Sequence, residues 1–273
     1  MSIVGKGVLQ DSPCSRPVVT LHSTSNRAEI PGLIGTPSSV SIQDEIRADF
    51  GWELAADLAS AHALHDFCEE SGVPGWTESG RRDCLARIRA ALFDAHLTVL
   101  GAAAEPEDVV IAVERGHAIV AADGAIGVLT ELDDSIREVA WTHVVCVVSD
   151  ADGDSAHLAL AAARGIPFLL HGHGDNQAAW QGLLEQSETA PANLVLTHQT
   201  PSEIDGMYNP GGFTDGDRAV CIALAMGIAP DRIHLAGFRT DRIGRWTGST
   251  APERKLRKLR WMATILDRSG VEW

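Results

Sequence analysis

What most constrains this chain is a regular alternation of short apolar runs with helix-length amphipathic segments, from residue 97 to residue 266. Leu97–Gly101, His117–Ala122, His143–Ser149, Ile166–His171, Asn193–Thr197 and Arg232–Gly237 each have the length and near-continuous apolar character of a buried strand. Between them, Ala156–Arg164, Gln177–Gln186, Asp217–Met226 and Glu253–Leu266 read as helices. Such alternation predicts an α/β fold, a mostly parallel sheet with helices on both faces. No internal repeat or low-complexity block interrupts the series.

Upstream, Ile42, Ile46, Phe50, Leu54, Leu58 and Ala61 recur at near-helical spacing towards Leu64 and Phe67, until Ser71-Gly72-Val73-Pro74-Gly75 stops the pattern. Arg82–Phe93 reads as a further amphipathic helix. The expected organisation is an irregular N-terminal arm over 1–40, with a short edge strand at Val18–Leu21, then a small helical domain over 41–94. The α/β domain follows over 95–273. A chain of 273 residues can bury such a core without staples.

Charge and cysteine usage narrow the function classes. Acids outnumber bases 37 to 22, for a net charge of −15. An acidic surface of this kind repels nucleic acid and anionic lipid, yet leaves room for a small basic pocket. Five widely spaced cysteines argue against a disulfide framework or a zinc ribbon, and Cys146 and Cys221, in apolar runs, read as buried thiols. No apolar stretch is long enough to span a bilayer, and the first residues lack the features of a signal peptide. The expectation is a cytoplasmic protein acting on small molecules, with a homo-oligomer compatible with it.

The chemistry sits where the strands end. The second run ends in Asp123-Gly124, the third in Ser149-Asp150-Ala151-Asp152-Gly153-Asp154, the fourth in His171-Gly172-His173-Gly174-Asp175-Asn176, and the fifth in Thr197-His198-Gln199-Thr200. Any one of these alone could be a turn or a helix cap. Together they converge on the carboxyl edge of a parallel sheet, where ligands bind. Clustered carboxylates repel one another unless a cation is present. Oxygen donors without thiolates favour Mg²⁺ or Mn²⁺. Asp150 and Asp152, two apart, face one side of an extended segment. A calcium loop starting at Asp150 fails, because its sixth residue is Ser155 and its twelfth Ala161. His171-x-His173-x-Asp175 also admits a metal-hydrolase reading, weakened by Asn176 where a further His would stand.

The run Asn209-Pro210-Gly211-Gly212-Phe213-Thr214-Asp215-Gly216-Asp217-Arg218 opens onto a helix, whose N-terminus suits a phosphate. It also reads as a cap, with Thr214 at the N-cap and Asp217 three residues on. No Walker A, GxGxxG or GxSxG run occurs. Residues 254–260 gather five bases on a helix with an apolar stripe, so Lys255 or Lys258 could turn inward towards a polyphosphate.

These motifs carry a resemblance. ADGA near 121–125, SDADGD at 149–154, HGHGDN at 171–176, THQT at 197–200 and GGFTDGDRA at 211–219 resemble the archaeal 6-hydroxymethyl-7,8-dihydropterin pyrophosphokinases in order and spacing, from about residue 42 onward. Ile46-Arg47-Ala48-Asp49-Phe50-Gly51 and Asp57 are similar to that family's helical N-terminal segment. The resemblance implies a Rossmann-like fold, distantly similar to thiamine pyrophosphokinases. It implies transfer of a diphosphate from ATP to the pterin's hydroxymethyl oxygen, releasing AMP, on the way to folate or methanopterin. It further implies Mg²⁺ held among Asp123, Asp150, Asp152 and Asp175. His171 or His173 could orient the attacking hydroxyl, or either could be structural. Contacts to the nucleotide would come from Asn176, Gln199, Thr200, Gly211, Gly212, Thr214, Asp215, Arg218 and Lys255. Phe213, Tyr208 and Trp246 are candidates to stack on the pterin.

The sequence departs from that pattern in three places. Gly101-Ala102-Ala103-Ala104-Glu105-Pro106 replaces a Gly-Ala-Gly-Pro-Ser-Leu turn, bringing in an acid. Gly237-Phe238-Arg239-Thr240-Asp241 carries an arginine in place of an aspartate, and Ala151 replaces a leucine. Two rival readings follow, a nucleotide-sugar-dependent transferase and a nucleotide- or pterin-binding protein without turnover.

Overall fold

The computed structural model of the chain describes residues 32–186 and 190–273. Val18–Leu21 and most of the arm expected over 1–40 lie outside the described residues.

Among the described residues six strands form one parallel sheet: β1 (Leu97–Leu100), β2 (Ala118–Ala122), β3 (Val144–Ser149), β4 (Phe168–Gly172), β5 (Leu194–His198) and β6 (Ile233–Ala236). The order across the sheet is β5-β4-β3-β2-β1-β6. The chain therefore steps from β1 to one edge and then returns to place β6 on the other side of β1. The ends of β1 and β6 consequently meet at the point where the winding reverses, the usual place for a ligand crevice in open α/β sheets.

Strand side chains alternate between two cores. On one face Leu100, Ile119, Ala121, Val147, Phe168 and Leu170 pack with α4 (Pro106–Glu114), α5 (Asp134–His143), α6 (Ser155–Ala163) and α7 (Gln177–Leu184). On the other, Val99, Val120, Cys146, Val148 and Leu169 pack with α3 (Glu78–Leu92), α8 (Asp215–Ala225) and α9 (Pro252–Ser269). Burial on both faces explains why each strand is a nearly unbroken apolar run.

The periodic stretch after Ile42 is two helices, not one. α1 (Pro37–Phe50) ends at Gly51, whose φ of 68° is the left-handed conformation that caps a helix, and α2 (Leu54–Glu70) starts afresh. The apolar spacing runs through the break, so periodicity alone does not reveal it. α1 also begins at Pro37, within the expected arm, with the Thr36 hydroxyl capping Ser39 N–H. Ala61, Leu64 and Cys68 of α2 join the first core, and Cys84, Leu85 and Ile88 of α3 the second. Cys146 and Cys221 are buried as expected. Among the described residues no helix is long and apolar enough to cross a membrane.

Candidate functional site

The carboxyl ends of β1, β2, β3 and β6 surround a crevice, bordered by the first turn of α8 and by α9. Its walls include Gly101–Ala103, Asp123, Asp152, Thr214–Gly216, Phe238, Arg239, Arg242 and Lys255. The segment 237–248 straps across it. Trp246 donates its backbone N–H to Ala102 O (2.9 Å) and its indole N–H to Ala104 O (2.8 Å). The strap lies so close to the strand ends that a Cβ on Gly244 would fall 2.2 Å from the Ala102 carbonyl carbon, and one on Gly248 2.3 Å from Asp152 O. Gly237 has both constraints, a φ of 73° and a Cβ position 2.0 Å from Ala104 N. Gly237→Ala is therefore expected to destabilise the fold by about 2 kcal/mol or more, from left-handed strain plus the clash, measured by urea unfolding.

Asp123, Asp150 and Asp152 each offer a carboxylate oxygen within 4.8 Å of the others. Asp123 follows β2 in a left-handed conformation (φ 49°) and accepts from Ser149 Oγ at 2.5 Å. Left-handed Ala151 (φ 66°) turns the chain between Asp150 and Asp152, and its N–H donates to Ser149 Oγ at 2.8 Å. Burial first, then the charges of Asp150 and Asp152, push the Asp123 carboxyl up to about 8. Burial and Asp150 push Asp152 up to about 6. Burial works the same way on Asp150, but the hydrogen bond from His173 Nε2 (3.1 Å) and the charges of His173, Lys258 and Arg218 outweigh it and hold that group well below the usual carboxylate range. Asp215, in the first turn of α8, is a fourth acid at the cluster, held well above its ordinary value by burial and by Asp150 and Asp123.

These shifts carry a stability signature. A folded-state value near 8 for Asp123 means that from about pH 4 to pH 8 the folded chain binds a proton the unfolded chain has released. Stability must fall as pH rises through that window. In chelator-treated protein, Asp123→Asn is expected to flatten the decline and raise Tm at pH 8 by about 4 °C or more; thermal melts from pH 4 to 9 check this.

Asp175 is not brought into the cluster. Its side chain is 75% exposed, 3.6 Å from His173 Nδ1 and 3.7 Å from Arg254. His173 thus stands between Asp150 and Asp175. Lys255 lines the crevice, and half-buried Lys258 sits over the Trp52 and Phe213 rings, its ammonium 5.6 Å from each centroid. Phe213 packs there at a tilt against the stacked Phe50 and Trp52 rings, Tyr208 packs against Gly32, and Trp246 alone of the three stacking candidates lines the crevice.

The remaining predicted residues frame the site from behind. Asn176 is buried: its amide donates to the Asp150 and His171 carbonyls (2.9 and 2.6 Å), and its oxygen accepts from Ser60 Oγ and His173 N–H. Gln199 donates to Asp57 (3.0 Å) and lies 3.4 Å from His171 Nε2. Thr200 bonds within its own loop, to His198 and Ser202. Gly211 and Gly212, at φ 87° and 83°, let the loop press against Ser39 of α1 and the Arg218 backbone. Arg218 is 1% exposed and donates to Phe213 O and Asp215. Asp217 accepts from the Phe213 and Thr214 N–H groups, the expected cap, leaving the first turn of α8 to face the crevice.

The acid in the altered first loop points elsewhere. Glu105 caps α4 in a reciprocal box with Asp108 and lies 3.5 Å from Arg245, while the backbone of Gly101–Ala103 lines the crevice. Arg242 and Phe238 were not singled out by sequence reasoning, and only their position beside β6 could have drawn attention to them.

No family model matches the chain. The 6-hydroxymethyl-7,8-dihydropterin pyrophosphokinase of Methanothermobacter thermautotrophicus is 30% identical over 193 residues, 70% of this chain and 72% of that protein. The Pyrococcus furiosus protein of that name is 34% identical over 155 residues, covering 54% and 60%. The one from Methanocaldococcus jannaschii is 25% identical over 202 residues, covering 71% and 76%. This chain belongs to the 6-hydroxymethyl-7,8-dihydropterin pyrophosphokinase family.

Proposed function

We propose that the chain transfers a diphosphate from ATP to the hydroxymethyl oxygen of 6-hydroxymethyl-7,8-dihydropterin, using Mg²⁺ bound by Asp123, Asp150 and Asp152. The observation that supports this best is the carboxylate cluster, with Asp123 and Asp150 buried and Asp152 open to solvent, facing Lys255, Lys258 and the first turn of α8 across one crevice. Family membership supplies the substrate. In the reaction the hydroxymethyl oxygen bonds to the β-phosphorus, the bond from that phosphorus to the bridging oxygen breaks, and the bridging oxygen leaves on AMP. The hydroxyl proton passes to solvent.

The three acids suit Mg²⁺ because they present oxygen alone, and because burial raises two of them far above a carboxylate's ordinary range unless a cation offsets the charge. When bound, the ion neutralises phosphate oxygens and orients them. The chain's own groups do the rest. Asp150, kept ionised by His173, anchors the cluster. Lys255 and Lys258 face the acids from α9, and Arg242 supplies further positive charge on the strap side, where Arg239 is paired with Asp241. Backbone N–H groups at the start of α8 suit a phosphate. His173 and Asn176 are positioning residues for the loop that carries Asp150.

The test is AMP release from ATP with and without the pterin, in Mg²⁺ or Mn²⁺. Pterin-dependent AMP and a diphosphorylated pterin are the expected products. No pterin-dependent AMP with either ion would overturn the reading. Preferential binding of a CMP-sugar over ATP would favour a sugar transferase instead.

A further inference from the structure

A second constellation lies at the opposite, amino end of the sheet. His96 immediately precedes β1, His117 immediately precedes β2, and His234 is the second residue of β6. The parallel register pairs Leu97 with Ala118 and Thr98 with His234. With side chains alternating along each strand, this places His96, His117, His234 and Thr98 on one face of three adjacent strands. Nothing in the proposed reaction uses them.

We propose that His96, His117 and His234 form a binding site for a divalent transition cation, Zn²⁺ foremost, with solvent completing the coordination. One ring nitrogen from each lies within 4.8 Å of one from each of the others. His96 Nδ1 and His234 Nε2 are 3.3 Å apart, and two nitrogens bound at 2.0–2.1 Å in a tetrahedron are separated by about 3.3 Å. The third ring is already oriented. His117 Nδ1 is 2.9 Å from the Thr98 hydroxyl, an outer partner of the kind that fixes a metal-binding imidazole in one tautomer and leaves Nε2 with its lone pair. The rings are near-parallel, 16–20° between planes, with His117 buried, His234 half-buried and His96 exposed. The site is thus both assembled and reachable from solvent.

The electrostatics favour neutral rings at His117 and His234. Burial, the neighbouring histidines and Arg115 lower His117, and burial, His96 and Arg115 lower His234, so near neutral pH neither ring holds a second proton and each keeps one lone pair that a metal ion can take. Arg115 opposes a proton and a metal ion alike, so affinity must come from coordination. Three imidazoles without thiolate or carboxylate select a borderline cation over Mg²⁺. A metal there would clasp edge strand β6, which is only four residues long, to β1 and β2.

The experiment uses the full chain, stripped with a chelator, and titrates it with Co²⁺ by visible absorption and with Zn²⁺ by calorimetry. Wild type is expected to bind one ion with the intense visible bands of a nitrogen-rich tetrahedral site, and Zn²⁺ should raise its Tm. His96→Ala, at an exposed position, and His234→Ala should each weaken binding at least tenfold and abolish the Tm gain, while Asp150→Asn keeps both. Unchanged affinity in the two histidine variants would overturn the site. So would bands lost in Asp150→Asn but kept in the histidine variants, which would assign the ion to the carboxylates.

Discussion

Asp150→Asn is expected to lower pterin-dependent AMP formation by about a hundredfold or more, the scale on which a preorganised electrostatic contact is lost. Asp150 is the acid of the cluster whose surroundings favour its charge, through His173 and the charges of Lys258 and Arg218, whereas Asp123, Asp152 and Asp215 are all shifted upward. Asparagine keeps the shape and removes that charge. The loss should lie in kcat and in the Mg²⁺ concentration needed for half-maximal rate, while the Tm stays within a few degrees of wild type. Asp175→Asn is the contrast: its carboxylate is exposed and paired only at 3.6–3.7 Å, so its effect should be about tenfold smaller. Equal losses at the two positions would place Asp175 among the groups that hold the ion.

Asp57→Ala should show the largest stability effect, about 3 kcal/mol by urea unfolding, because it leaves buried Arg47 with exposed Asp44 as its remaining carboxylate partner and strips the Gly174 and Gln199 donors of their acceptor. Asp57 and Arg47 are 3% and 6% exposed and 3.1 Å apart. Arg47 also donates to Gln199 O at 2.7 Å, and Asp57 accepts from Gly174 N–H at 2.8 Å and Gln199 Nε2 at 3.0 Å. This network joins α1 and α2 to the loops after β4 and β5, so activity should fall as well. The double variant Arg47→Met with Asp57→Leu should recover much of the stability but not the rate, since it removes both charges while leaving the loops untethered. A loss under about 1 kcal/mol in Asp57→Ala would show that water or local rearrangement satisfies Arg47.

The strands were readable to within two residues because parallel strands buried on both sides leave an unmistakable apolar run. α4 and α5 are hidden by more than shortness, since α6 and α7 are as short: Val109–Val113 of α4 is an unbroken apolar run rather than a helical period, and α5 abuts β3 with no break between them. In the site, the loops were legible and the division of labour within them was not. Asp123, Asp150, Asp152, Asp215 and Lys255 do meet at one crevice. Asn176, Gly211, Gly212 and Arg218 come from the same motifs, but their polar atoms or missing Cβ atoms serve neighbouring backbone. Spacing tells which turn a residue occupies, not whether the protein has already used its hydrogen bonds. The three histidines were invisible for another reason: residues 96, 117 and 234 become neighbours only through strand register.

The strand order has a consequence for synthesis. Because β6 lies beside β1 rather than beside β5, the crevice joins residues 101–103 to 237–255, a loop closure of more than a hundred residues. Synthesis runs from the N-terminus, so β1 to β5 emerge before β6 and α9. A nascent chain can therefore have five strands paired and its acidic cluster formed while the strap and the lysines of α9 are still missing. Until the last segment docks, the cell holds a sheet with uncompensated carboxylates at one end and an unpaired edge at β1, and completion of the chain removes both hazards together.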